Sequence, residues 1–418
     1  MSNLLKEMKE LIQTLNEAGK AYYQEAREIM SNYEYDALYD RLVELEKTTG
    51  TVMADSPTIH VGYEILSDLP KENHDTPMLS LDKTKDVQTL KSWIGPYKGL
   101  LSWKLDGLTI VLTYRNGELY KAVTRGNGVT GEVITNNAKV FRNLPHRIPF
   151  TDELVLRGEA IIKYSDFEKI NEQIEDVQAK YKNPRNLCSG SVRQLNNEIT
   201  AKRHVYFYAF SLVSHGGESF TNSREEQMQW LMNLGFDTVE FKTVDAANIE
   251  DEVLWFADQV KACDFPSDGL VLTLDDIAYS RSLGTTAKFP RDSIAFKWAD
   301  ETEKTHLLDV EWSASRTGLI NPVAIFEPVQ LEGTTVSRAS IHNVSIVESL
   351  ALGIGDEIMV YKANMIIPQI SENLTRSGTL EIPSICPVCH QPTQIVKEND
   401  VKVLTCPNPS CEAKRIKS

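Results

Sequence analysis

Long apolar runs are missing from this chain. No stretch approaches the roughly 18 residues needed to cross a bilayer, and Met1-Ser-Asn-Leu-Leu-Lys6 opens as an amphipathic helix rather than as a signal peptide. A cytoplasmic location with no membrane partner is expected. Positive charge is also in deficit: 44 Lys and Arg stand against 59 Asp and Glu, a net charge of −15. This excludes attraction of the whole surface to nucleic acid, so any such binding must come from local basic patches. Cysteine is scarce over most of the length. Cys188 and Cys263 stand alone and read as buried, inert thiols. There is no internal repeat, no low-complexity tract and no signal of an obligate protein partner. What remains is 418 residues, 41% hydrophobic and 25% charged, the composition of several ordinary globular domains.

Residues 1–68 read as helical. Leu4, Leu5, Met8, Leu11, Ile12 and Leu15 recur at helical spacing, and Ser31-x-x-Glu34 is a capping box opening a helix with Tyr35, Leu38, Leu42 and Leu45 on one face. From about 69 to 303, strands and helices alternate. Asn116-Gly117 between two apolar runs predicts a hairpin of 108–114 with 119–124. Ser165-x-x-Glu168 predicts a helix start leading to Phe167, Ile170, Ile174 and Val177, and Ser223-x-x-Glu226 predicts another, ended by Gly235. Strands are expected at 205–210, 270–274 and 294–298. Residues 304–383 change to short β runs with frequent Gly and Pro, the pattern of a small barrel. The fold class expected is multidomain α+β.

Two constellations carry chemistry. Lys104-Leu-Asp106-Gly107 stands before an alternating apolar run. Asp-Gly alone is ordinary turn chemistry, but a lysine beside a carboxylate at a strand end can attack phosphorus. With an ordinary pKa of about 10.4 its amine is almost wholly charged at neutral pH, so it needs burial or crowding by other cations. Arg125, Lys288, Arg291 and Lys297 are the candidate neighbours. The second constellation is Cys386-x2-Cys389-x16-Cys406-x4-Cys411. Four thiolates in two knuckles satisfy a tetrahedral zinc ion and leave no open position, so the metal expected there is structural.

Met78-Leu-Ser-Leu81-Asp82, Lys104-Leu-Asp-Gly107, Thr124-Arg-Gly-Asn-Gly128, Arg157-Gly-Glu159, Asn183-Pro-Arg-Asn186, Asp268-Gly269 and Ala295-Phe-Lys297 follow one another in the chain. With Arg316-Thr-Gly318, His342-Asn343 and the cysteines, they give a chain that resembles the NAD-dependent bacterial DNA ligases over essentially its whole length. The resemblance implies a helical cap for the nicotinamide mononucleotide (NMN) half of NAD (1–68) and a nucleotidyltransferase adenylation domain, ATP-grasp-like (69–303). An OB-fold β-barrel (304–383) and a small four-cysteine zinc finger (384–418) would follow. It implies that Lys104 takes AMP from NAD, that AMP passes to the 5′-phosphate of a nick in double-stranded DNA, and that the 3′-hydroxyl then displaces it. Mg²⁺ or Mn²⁺ would share the charge neutralisation, and Zn²⁺ would occupy the cysteines.

The same resemblance suggests roles. Asp106 would orient the lysine and touch metal or ribose, and Glu159 would accept from a ribose hydroxyl. Arg125, Lys288 and Lys297 would hold phosphate, Phe210 would stack on adenine, and Ser80 and Leu81 fall among the cofactor-binding positions. Tyr22, Tyr23, Tyr35 and Asp36 match the cap contacts, where aromatic faces suit a cationic nicotinamide ring. Arg185, Arg193, Arg316, Arg338, Lys362 and Arg376 would hold DNA phosphates, with His342 and Asn343 reaching a groove. Four positions depart from the family pattern: Ser102 and Asn127 replace acidic residues, Asn32 replaces an aspartate, and Thr273 replaces a lysine. A divergent, still active copy is expected. Seven residues follow Cys411, where the resembling proteins continue into helix-hairpin-helix repeats and a BRCT domain. Self-adenylation with weak or absent nick sealing is the expectation for this extent of chain. The alternatives are another lysine nucleotidyltransferase, such as an ATP-dependent ligase or capping enzyme, and a non-catalytic DNA-binding paralogue.

Overall fold

The structure is a computed structural model that describes residues 2–23, 25–59, 66–175, 180–181, 183–218, 220, 222–298, 302–331, 334–363 and 367–415, with Tyr23 and Ala363 as backbone only. The chain divides into two compact units, 1–298 and 299–418.

The first unit begins with two helices, Asn3–Tyr23 and Asn32–Thr49. Leu5, Met8, Ile12 and Leu15 meet Leu42 and Leu45 in a shared core, as the helical spacing predicts. Leu4, counted in the same apolar face, is instead exposed. Ser31 caps the second helix by accepting the Glu34 N–H, and Gly50 closes it in the left-handed conformation.

Two sheets follow. One orders its strands Val52–Met53, Pro145–Arg147, Glu118–Thr124, Leu108–Arg115, Leu154–Ile161, Tyr206–Ser214. The hairpin across Asn116-Gly117 lies at its centre, with both turn residues at positive φ. The other orders Phe241–Val244, Gly99–Leu105, Ser267–Leu274, Ser293–Lys297, Asp82–Thr84. Its last pair is parallel and its other pairings are antiparallel. On one face of this sheet Leu101, Trp103, Leu105, Leu270, Leu272 and Phe296 form a core. Strand alternation sends Ser102 and Lys104 to the opposite face.

The capping pattern at Ser223 holds, with Gly235 as the left-handed stop. The one at Ser165 does not. That helix runs Tyr164–Glu172 with Lys163 at its N-cap, because Asp264 takes both the Ser165 hydroxyl (2.5 Å) and its N–H (2.9 Å). Ile174 lies past its end, and Val177 is outside the described residues. Cys188 is buried, its thiol donating to the Ala160 carbonyl; Cys263 is only partly buried.

The second unit is built on one sheet, ordered Ile367–Asn373, Glu357–Ala363, Thr302–Ala314, Leu319–Leu331, Val401–Thr405, Gln394–Glu398, with Thr334–Ser340 also paired to Leu319–Leu331. The cysteine segment, expected as a separate module, is joined to the preceding strands by backbone pairing. Leu319 and Ile320 pair with Thr405 and Leu404, and Cys386, Cys406 and Cys411 share a core with Ile320, Val344 and Leu404.

Candidate active site

Lys104 emerges from Gly99–Leu105 opposite Gly269, and on the next strand Lys297 also stands opposite Gly269. With no side chain at 269, the two lysines can approach each other across it. Asp268, at the irregularity between Ser267 and Gly269, lies between them. Its carboxylate accepts from Lys104 Nζ at 3.1 and 3.2 Å and from Lys297 Nζ at 3.3 Å. The Asp268 side chain is 10% exposed and that of Lys104 27%, so the pair is partly shielded from bulk water. Gly107 closes the motif for a steric reason: a Cβ there would stand 1.9 Å from the Ala160 carbonyl oxygen.

The cations around Lys104 differ from those expected. Lys297 is there. Arg125 instead donates to Ser80 Oγ (3.2 Å) and to the Met78 carbonyl (3.4 Å). Lys288 is exposed in the turn after Ile277–Leu283, where its backbone N–H is held by Thr286; Arg291 donates to the Leu283 carbonyl. The unexpected member is Lys83. Parallel pairing of Asp82–Thr84 sets it opposite Ala295, on the face that carries Lys297. Its pKa is held below the ordinary lysine value, first by burial and then by the charges of Lys297 and Lys104. In sequence Lys83 follows Met78-Leu-Ser-Leu-Asp82 directly, but nothing local to that motif places it beside Lys297.

Asp106 lies beside this cluster. Its backbone N–H is held by the Pro266 carbonyl and its carboxylate meets Arg185 Nε at 3.5 Å. Burial, and then the charge of Asp268, raise its pKa. Four cations (Lys83, Lys104, Lys297 and Arg185) thus gather around two carboxylates, leaving an excess of positive charge suited to phosphate. Glu159 completes the wall. It accepts from the Gly107 N–H (3.1 Å) and the Thr109 hydroxyl (2.6 Å), and burial pushes its carboxyl up to about 7.

Further along the same face a cavity opens, lined in part by Leu100, Ser102, Phe210 and Thr273. Phe210 is 43% exposed, an aromatic face free to meet a ligand. Ser102 and Thr273, two of the positions that depart from the family pattern, sit in this wall. Asn127 accepts from the N–H groups of Val129 and Thr130, a turn that an aspartate would make equally. Ser80 is exposed and Leu81 partly buried.

The remaining expected residues lie elsewhere. Tyr22 is 52% exposed and Tyr35 stacks on Tyr39, ring centroids 6.4 Å apart. Asp36 is exposed, and the Tyr23 side chain lies outside the described residues. Arg193 is paired with Glu132 at 2.6 Å. In the second unit Arg338 is paired with Glu311, Arg376 donates to the Ser349 carbonyl, and Arg316 and His342 are exposed. Lys362 is a correction: it is buried and its ammonium donates to the Thr334 hydroxyl, so it is not presented to a phosphate at the surface. Asn343 is another, its side chain being used to cap Val344–Ser349. Asn183 likewise caps Pro184–Val192, which places Arg185 in the first turn.

The four C-terminal cysteines converge, with ligand atoms all within 4.8 Å of one another. The closest sulfur pairs are 3.5 Å (Cys389–Cys406) and 3.9 Å (Cys386–Cys411). These are far too long for disulfides, whose bond is about 2.05 Å. They bracket the spacing of about 3.8 Å set by four sulfurs placed tetrahedrally at about 2.3 Å from zinc.

Comparison with known proteins agrees with this geometry. Residues 66–301 match the NAD-dependent DNA ligase adenylation domain, and 304–381 match the OB-fold domain of the same family. The chain belongs to the NAD-dependent DNA ligases. Residues 1–62 match the DNA ligase-like, N-terminal NAD⁺-binding domain. The chain is 68% identical to a DNA ligase of Ruminiclostridium cellulolyticum over 418 residues, all of this chain and 64% of that protein. It is 64% identical over 409 residues to a DNA ligase of Lachnoclostridium phytofermentans, 98% of this chain and 63% of the other. A Clostridioides difficile DNA ligase is 36% identical over 426 residues, 97% of this chain and 62% of that protein. The chain thus spans just under two thirds of the length of these relatives. No helix among the described residues is long and apolar enough to cross a membrane.

Proposed function

We propose that this chain carries out NAD-dependent nucleotidyl transfer to DNA nicks, with Lys104 as the nucleophile. The observation that carries the reading is Asp268 shared between Lys104 and Lys297, with Lys83 on the same sheet face. The Lys104 amine attacks the AMP phosphorus of NAD. A nitrogen–phosphorus bond forms, the bond to the bridging oxygen breaks, and NMN leaves with that oxygen. Asp268, at 3.1 Å, lies where a proton leaving the amine can be received. Lys297 and Lys83 offset the charge on the phosphoryl oxygens, so the protein's contribution is mainly position and preorganised charge. AMP then passes to the 5′-phosphate of a nick, and the 3′-hydroxyl displaces it.

Asp106 fits a divalent cation, since a carboxyl held up by burial and by Asp268 gains from added positive charge. Such an ion supplies further neutralisation of phosphate. We assign the two N-terminal helices as the NMN-binding cap, on half-exposed Tyr22 and the match of residues 1–62. The four cysteines form a structural Zn²⁺ finger, supported by their mutual spacing, and the domain divisions at 68, 303 and 383 go with these assignments. Arg185 and Arg193, both about half exposed, with Arg316 and Arg338, are the DNA-phosphate contacts; each paired arginine would exchange a carboxylate for a phosphate.

The test is the intact mass of deadenylated protein after exposure to NAD or to ATP. One AMP added from NAD alone is expected. An adduct from ATP alone would establish the other nucleotidyltransferase reading, and no adduct from either would favour a non-catalytic DNA-binding role.

A further inference from the structure

The cavity beyond Lys104 has a polar floor that the reaction as described does not use. Same-face residues of a strand stand about 7 Å apart, so a phosphate at Lys104 sets a base, one ribose away, beside Ser102 and Phe210. Neither departing residue there reads that base. The Ser102 hydroxyl leans on the Val271 carbonyl at 3.5 Å, and that of Thr273 is engaged with Ser293 Oγ at 3.1 Å. The floor comes instead from helix Arg224–Leu234. Its residues Arg224 and Gln227, three apart and so on one helical face, both line the cavity.

Gln227 is 6% exposed, an uncommon degree of burial for an uncharged polar side chain of this length. Among the described residues nothing hydrogen-bonds its side-chain amide. Beside it the Arg224 guanidinium is fixed by Asp292 at 2.6 Å, while its Nε–H is buried without a partner. A buried donor without a partner, beside an amide that lines the cavity with no protein hydrogen bond among the described residues, points to a polar ligand edge.

We propose that Gln227 is the specificity-determining residue that reads the adenine of NAD in this chain. Its amide accepts from the exocyclic amine and donates to the neighbouring ring nitrogen, the pairing to which a glutamine side chain is matched. This rests on the nucleotidyl-transfer reading and adds the residue that selects the base.

The experiment compares adduct formation from NAD with that from its analogue bearing purine in place of adenine, which lacks only the amine. Wild type should prefer NAD by about tenfold in kcat/KM. Gln227→Met, near-isosteric in a cavity also lined by Met228 and Leu212, should lower the NAD value by a similar factor through KM. It should lower the analogue less, by the loss of the ring-nitrogen contact alone, so that the preference collapses towards one. A wild type without preference overturns the proposal, whatever the fate of the variant. So does a Gln227→Met protein of unchanged melting temperature that keeps the preference. If the variant melts early, Gln227→Leu, which also lacks the acceptor for the exocyclic amine, takes its place with the same expectation. Absence of any adduct from either dinucleotide would instead overturn the nucleotidyl-transfer reading.

Discussion

The lysine cluster of the first unit and the cysteine cluster of the second are both gatherings of like groups, made in opposite ways. The cysteines come from 26 consecutive positions, 386–411, folded around one hairpin. The lysines at 83, 104 and 297 come from three strands and meet only because parallel and antiparallel registers align them on one face. The cysteines converge at a spacing that a single tetrahedral ion would satisfy. The lysines do not satisfy each other at all; Asp268 and Asp106 leave them in excess. A closed cluster stabilises structure, whereas an open one with surplus charge is positioned to take a ligand.

The largest effect expected from breaking this contrast is at Lys104. Lys104→Ala should reduce the AMP adduct to below detection, and so should Lys104→Arg, because a guanidinium is never uncharged enough to attack. An adduct surviving in either would mean that another residue is the nucleophile. Next comes the cysteine cluster. Chelation, or Cys406→Ser, should release bound zinc and strip hydrogen-exchange protection from 386–411. The rate of adduct formation should stay within about twofold. Retained protection in metal-free protein would contradict the zinc assignment.

How legible each cluster was follows from the same contrast. The cysteine spacing is local and could be read directly. So could the Asn116-Gly117 hairpin and the caps at Ser31 and Ser223, which depend on neighbours within a few positions. Lys83 could not, because its place beside Lys297 depends on a parallel pairing across more than 200 residues. Arg125, within its motif, and Lys288 carried the right charge, yet backbone acceptors and turn geometry hold them elsewhere. The Ser165 box failed because a distant carboxylate, Asp264, took the hydroxyl first. Ion pairs on Arg193 and Arg338 were equally invisible.

Lys83 sharpens the comparison at intermediate size. Lys83→Gln should lower kcat/KM for NAD about tenfold, or about 1.4 kcal/mol of transition-state stabilisation. Lys83→Arg should restore most of it, and the deficit should shrink at high salt. Values unchanged in Lys83→Gln would show that the excess charge resides in Lys104 and Lys297 alone.

The last contrast concerns Glu159, where stability rather than rate is read. Its carboxyl moves from an ordinary 4.5 to about 7 in the folded protein, because burial disfavours the charged form. The folded state therefore binds this proton more tightly than the unfolded chain does. The resulting stabilisation is full below pH 4.5 and is lost as pH rises towards 7, on the order of 3 kcal/mol. Asp55, also raised by burial, to about 6, acts in the same direction, so the wild-type slope has at least two sources. Glu159→Gln keeps an uncharged acceptor for the Gly107 N–H or the Thr109 hydroxyl and removes one of those sources. The difference in stability between variant and wild type should be flat below about pH 4.5. It should move in favour of the variant up to about pH 7 and level off above. Parallel denaturation curves across that window would place the Glu159 carboxyl in contact with water, and the wall beside Lys104 would then be more open than the geometry indicates.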